Sequence, residues 1–123
     1  MAKGPGAQPL AILGGVENAE FAYLEYTVAS SVVTLVRAPK GWSLGNFSSG
    51  IAALTFPKHY KVFFPFVGSE SVTDASSTNR HYFETKTVVV ASGTAVVNSV
   101  DENNGAIEAP VDGTVRLLYL VGE

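Results

Sequence analysis

Between Phe21 and Val121 the chain is a succession of short apolar runs separated by clusters of Gly, Pro, Ser and Asn. The runs are rich in Val, Thr, Tyr and Phe, whose branched or ring side chains suit a pleated surface and lose rotamer freedom in a helix. Leu24, Tyr26 and Val28 alternate with Tyr23, Glu25 and Thr27, the period of a strand with one buried face. A helix over Val16–Tyr26 competes, because Ala, Glu and Leu favour it. The Tyr, Thr and Val of its second half decide for a strand. Ser30-Ser31 suits a turn, and Val32–Arg37 reads as a second strand closed by Pro39. Ile51–Phe56 is a third, and Lys61–Val67 a fourth, placed at an edge or a bulge by Pro65. Gly68–Asn79, rich in Ser and Thr, reads as an exposed loop.

His81–Ala91 and Thr94–Val100 form a hairpin about Ser92-Gly93. Its first strand sets Tyr82, Glu84, Lys86 and Val88 on one face and Phe83, Thr85, Thr87 and Val89 on the other. Asp101–Gly105 is a further turn, Ala106–Ala109 a short strand before Pro110, and Thr114–Val121 the last strand. Seven to eight short strands with no helical segment between them predict an all-β fold. An antiparallel sandwich or a jelly-roll-like barrel is expected.

The 123 residues suit one domain. Residues 19–123 carry the strand pattern, and residues 1–18 are a Gly/Pro-rich extended arm. Leu10, Ile12 and Leu13 give that arm apolar side chains to bury on a neighbouring subunit. Charged residues are 15% of the chain, against roughly 25% in an average soluble domain. Thr87–Val100 has none, and Thr27–Pro57 has only Arg37 and Lys40. The long connection Pro39–Gly50 carries Trp42, Leu44 and Phe47, more apolar surface than a solvated loop needs. A domain this small is not expected to bury such a loop alone, so these three residues are expected at a subunit interface.

Other function classes find little support. The net charge is −3, and the eight basic residues are scattered, without the stripe that neutralises a phosphate backbone, so nucleic acid is not an expected partner. No run approaches the roughly 20 apolar residues that span a bilayer, and Leu10–Leu13 is too short for a signal sequence. A membrane partner is therefore not expected. Cysteine is absent, which excludes disulfides and thiolate chemistry. His59 and His81 stand outside any metal-ligand spacing and read as surface or structural residues, so no metal and no cofactor is expected. Asp101 and Asp112 fall in turn clusters, where Asp caps its own backbone. Composition permits a Ser–His–Asp triad, but no Gly-x-Ser-x-Gly setting occurs. The chain is not expected to be an enzyme.

A short Gly/Pro arm before a compact all-β body, a Ser/Thr-rich loop within it and a final strand near residue 123 form a pattern, together with low charge and no cysteine. It resembles small structural proteins of tailed-phage virions, such as capsid decoration proteins and tail-fibre or spike tip domains. The resemblance implies a homo-oligomer, of trimeric type, that binds itself and other virion proteins. It implies location in the virion, assembled in the host cytoplasm. The aromatic stretch Trp42, Phe47, Phe56, Tyr60, Phe63, Phe64 and Phe66 is expected to fill the core and an interface. The alternative is a carbohydrate- or receptor-binding module that stacks a glycan on exposed Trp42, Tyr60 and Tyr82.

Overall fold

The computed structural model describes residues 19–73 and 80–123, with backbone alone for 68–73. The elements are β1 (Glu20–Ala29), β2 (Val32–Arg37), β3 (Ser43–Leu44), β4 (Ile51–Thr55), β5 (Val62–Pro65), β6 (Gly68–Thr73), β7 (Arg80–Val89), β8 (Thr94–Asp101) and β9 (Asp112–Gly122). All pairings are antiparallel. There is no helix among the described residues. The eight longer strands form two four-stranded sheets in a sandwich, β2-β1-β9-β5 and β6-β7-β8-β4, with the two-residue β3 added beside β4. Among the described residues, Thr73 pairs with Asp112 and joins β6 to β9.

The core follows from the alternation in the sequence. One sheet contributes Leu24, Tyr26 and Val28 from β1 and Val115, Leu117, Tyr119 and Val121 from β9. The other contributes Ala52 and Leu54 from β4, Phe83 from β7, and Ala95 and Val97 from β8. Ser30 and Ser31 both take positive φ, as a two-residue turn matching the twist of its strands requires. Their amides donate to Val111 O and Pro110 O, at 2.7 and 3.0 Å.

Three expectations change. Residues 68–73 pair with β7 as a strand, although their Ser- and Thr-rich composition reads as a loop; backbone bonding to a partner strand outweighs weak local preference. Residues 74–79, the remainder of that expected loop, lie outside the described residues, as does the arm with Leu10, Ile12 and Leu13. Ala106–Ala109 is not a strand; it holds one isolated bridge, Ile107 with Val100. The alternation in β7 breaks at Thr87, which takes φ 53° in a bulge between Lys86 and Val89. The extra residue reverses the facing, so Val88 packs against the core rather than beside Tyr82 and Glu84.

The connection Pro39–Gly50 departs furthest from expectation. Trp42, Leu44 and Phe47 are each only 6% exposed in the isolated chain. The loop runs across the sandwich and is fixed by polar bonds at several points. The Leu44 amide donates to Tyr26 Oη (3.0 Å), the Phe47 amide to Ser31 O (2.9 Å), and the Val33 amide to Asn46 Oδ1 (2.9 Å). Trp42 becomes the hub of an aromatic cluster, with ring centroids 5.4 Å from Phe56 and Tyr119 and 5.9 Å from Tyr60 and Phe63. The expectation that another subunit covers these three side chains is corrected. Partners on both sheets of the same chain bury them.

Candidate functional site

With the loop aromatics inside, exposed aromatic side chains gather on the outer face of β1, β9 and β5, while Ile51, Val89 and Ile107 are exposed singly elsewhere. Strand register builds this face. Phe21 opposes Leu120, and Leu120 opposes Phe64, so the three form one row across three strands. The next row sets Tyr23 against Leu118, whose carbonyl accepts the Phe66 amide at 3.1 Å. Phe21 is 65% exposed, and Phe64 and Phe66 are about half exposed. The rings of Phe21 and Phe66 lie 6.4 Å apart, bridging the ends of β1 and β5. Beside the patch, Pro65, Phe66 and Val67 form one wall of a shallow cleft of about 180 Å³, with Glu84, Thr85 and Lys86 opposite. Strand β2, at the sheet edge, exposes Val32, Leu35 and Val36. Apolar side chains gathered on one face and along an edge strand, bonded on its outer side at Val33 by Asn46, suit a surface that another chain covers.

The opposite kind of site sits at one end of the interior. His81 on β7 opposes Asp101 on β8, and both are buried. Ser99 Oγ lies 2.6 Å from His81 Nδ1, while His81 Nε2 is buried without a hydrogen-bond partner. After Asp101 the chain turns back, and the Glu108 amide donates to Ser99 O at 3.0 Å. Ligand atoms of His81, Asp101 and Glu108 therefore lie within 4.8 Å of one another. Sequence spacing gave no sign of this group, because its members stand 20 and 7 residues apart and meet only through the hairpin and the turn after it. Ser99, His81 and Asp101 have the composition of a hydrolytic triad. None of the three is more than 1% exposed, so no substrate reaches Ser99 Oγ without the sandwich opening.

The residues weighed for glycan binding do not form a platform. Trp42 and Tyr60 are 6% and 7% exposed and face the same internal cluster. Tyr82 is half-buried on β7 and pairs with Val100. A sugar ring needs an accessible aromatic face, and burial removes two of the three candidates. His59 is a surface residue, its Nε2 3.5 Å from a Glu123 carboxylate oxygen.

Burial shifts several phenols. Tyr119, sealed in the core with its Oη 2.7 Å from Thr85 Oγ1, is pushed well above the usual tyrosine range by desolvation. Desolvation also raises Tyr26 and Tyr60. These groups remain neutral hydrogen-bonding members of the core.

Comparison of the chain with family models, with curated proteins and with solved structures gives no match.

Proposed function

We propose that this chain is a non-enzymatic structural subunit of a homo-oligomeric virus particle, of the capsid-decoration or tail-associated type found in tailed phages. It acts by subunit–subunit binding, with further copies of itself and other virion proteins as partners. The observation that carries the reading is the apolar row Phe21–Leu120–Phe64 with Phe66 beside it, facing outward from a sandwich whose core is already complete. A self-contained core leaves these side chains without an internal role, and covering them with another chain recovers their burial energy, about 25 cal/mol for each Å² removed from water. The occupant we assign is a neighbouring copy, whose Leu10, Ile12 and Leu13 supply a matching apolar segment. A closed ring of such contacts, three copies being the expected number, would leave no growing end.

Light scattering of the full-length chain tests this. The expected mass is a multiple of 12.9 kDa that persists at tens of micromolar. Removal of residues 1 to 15 should lower that mass while the β circular dichroism stays unchanged. A full-length chain that is monomeric under these conditions refutes the reading.

A further inference from the structure

We propose that His81, Asp101 and Glu108 form a binding site for one divalent transition-metal ion, Zn²⁺ best, that ties the turn after β8 to the polar end of the sandwich. The inference is independent of the assembly reading. It starts from His81, which is fully buried and has one ring nitrogen, Nε2, without a partner. A buried unpaired imidazole nitrogen is destabilising unless something occupies it. The other nitrogen, Nδ1, is held by Ser99 Oγ at 2.6 Å. That arrangement is the one found around metal-bound histidines, where one nitrogen donates its proton to a neighbouring oxygen and the other presents a lone pair to the ion.

Two carboxylates complete the set. Asp101 is 1% exposed and sits directly opposite His81 across β7 and β8. Its Oδ1 accepts the Asn103 amide at 2.7 Å, which fixes the side chain at the start of the turn. Glu108 is brought in by the backbone. The Asp101 amide donates to Ala106 O and the Glu108 amide to Ser99 O, which lays residues 106–108 against β8. Gly50 locks that segment from the other side, since a Cβ there would come within 2.8 Å of both Glu108 O and Ile107 Cγ2. A ring nitrogen of His81 and a carboxylate oxygen from each acid lie within 4.8 Å of one another. Tetrahedral zinc with bonds of about 2.0–2.2 Å separates its ligands by about 3.3–3.6 Å. Closing the remaining gap takes roughly an ångström of side-chain movement, which the half-buried Glu108 can supply by rotation.

One imidazole and two carboxylates select a borderline ion. The nitrogen ligand disfavours Ca²⁺ and Mg²⁺, which take oxygen, and the absence of thiolate disfavours Cu⁺. Among the common divalent ions Zn²⁺ suits a small mixed nitrogen–oxygen set, and Co²⁺ reports the same geometry by its colour.

The test uses the full chain stripped with chelator and titrated calorimetrically with Zn²⁺. One ion per chain should bind with low-micromolar affinity or better, with a higher melting temperature. Glu108→Gln, a change at a half-buried position, should weaken binding by about tenfold or more and abolish the thermal shift. A second measurement needs no variant. Long-range ¹H–¹⁵N spectra should show Zn²⁺ moving the His81 Nε2 resonance while Nδ1 keeps its proton, with His59 as an internal control. The proposal is overturned if neither heat nor a His81 shift appears with millimolar Zn²⁺ or Co²⁺. It is equally overturned if binding survives Glu108→Gln and moves only His59, which places the ion at the His59–Glu123 surface pair.

Discussion

Replacing Trp42 with alanine separates a residue of the chain's own core from a residue of an interface. The Trp42 ring is 6% exposed and lies among four other rings: Phe63 and Tyr119 from β5 and β9 of one sheet, and Phe56 and Tyr60 from the loop after β4. Truncating a core tryptophan to alanine costs about 3–5 kcal/mol, the lost transfer energy and the cavity left behind together. An unfolding entropy of about 2.1 cal/mol/K per residue gives this 123-residue chain roughly 0.26 kcal/mol/K, so Trp42→Ala should lower the melting temperature by about 15 °C. Far-UV circular dichroism, scanned thermally at low and at high micromolar protein, measures it. Because the ring's partners are intramolecular, the difference between variant and wild type should be the same at both concentrations. A difference below about 1 kcal/mol, or one that vanishes where the protein is diluted to monomer, would show that Trp42 is covered by another subunit and refute the reasoning.

Gly93→Ala should cost about 2 kcal/mol or more in urea unfolding, since Gly93 has φ +67° and an added Cβ would run into Phe56 O; a change within experimental error would mean that this turn relaxes freely. Stability should hold up to about pH 10 and fall above it, because Tyr26, Tyr60 and Tyr119 are raised by burial and the unfolded chain ionises its phenols first. Phenolate absorbance followed with circular dichroism checks this, and complete titration of all five tyrosines near pH 10 with the fold retained would contradict it. Replacing Phe64 and Phe66 together with serine should leave the β spectrum intact and weaken assembly by about tenfold or more, since both rings face outward. An unchanged assembled mass would remove the outer face from the contact.

The strands were legible wherever period-two alternation met a clear stop. β1, β2, β4, β8 and β9 follow their sequence patterns closely, and the Ser30-Ser31 turn falls where expected. Strand β6 was not legible, because its Ser- and Thr-rich residues gain strand character only from pairing with β7. The bulge at Thr87 was invisible for a related reason: one added residue reverses the facing of Val88, and no local preference announces it. The Trp42 loop was misassigned because composition reports that apolar groups need covering but not which groups cover them. Only the meeting of β5, β9 and the loop after β4 around that ring shows that the chain does so itself. The outward row through Phe21, Leu120 and Phe64 needs the β1–β9–β5 register, three segments far apart in sequence. The pairing of His81 with Asp101 was not legible either. Counting outward from a two-residue Ser92-Gly93 turn sets His81 against Asn104, and only the longer turn at residues 90–93 together with the bulge at Thr87 moves the register to Asp101.

Hydroxyl-radical footprinting over a range of protein concentrations tests the division between an internal aromatic core and an external contact face. Trp42 and Phe47 should be unreactive at every concentration, while Phe21, Phe64 and Phe66 react in dilute solution and become protected as the chain assembles. Trp42 that reacts in the dilute chain and is protected on assembly, with Phe64 and Phe66 unchanged, would contradict the account.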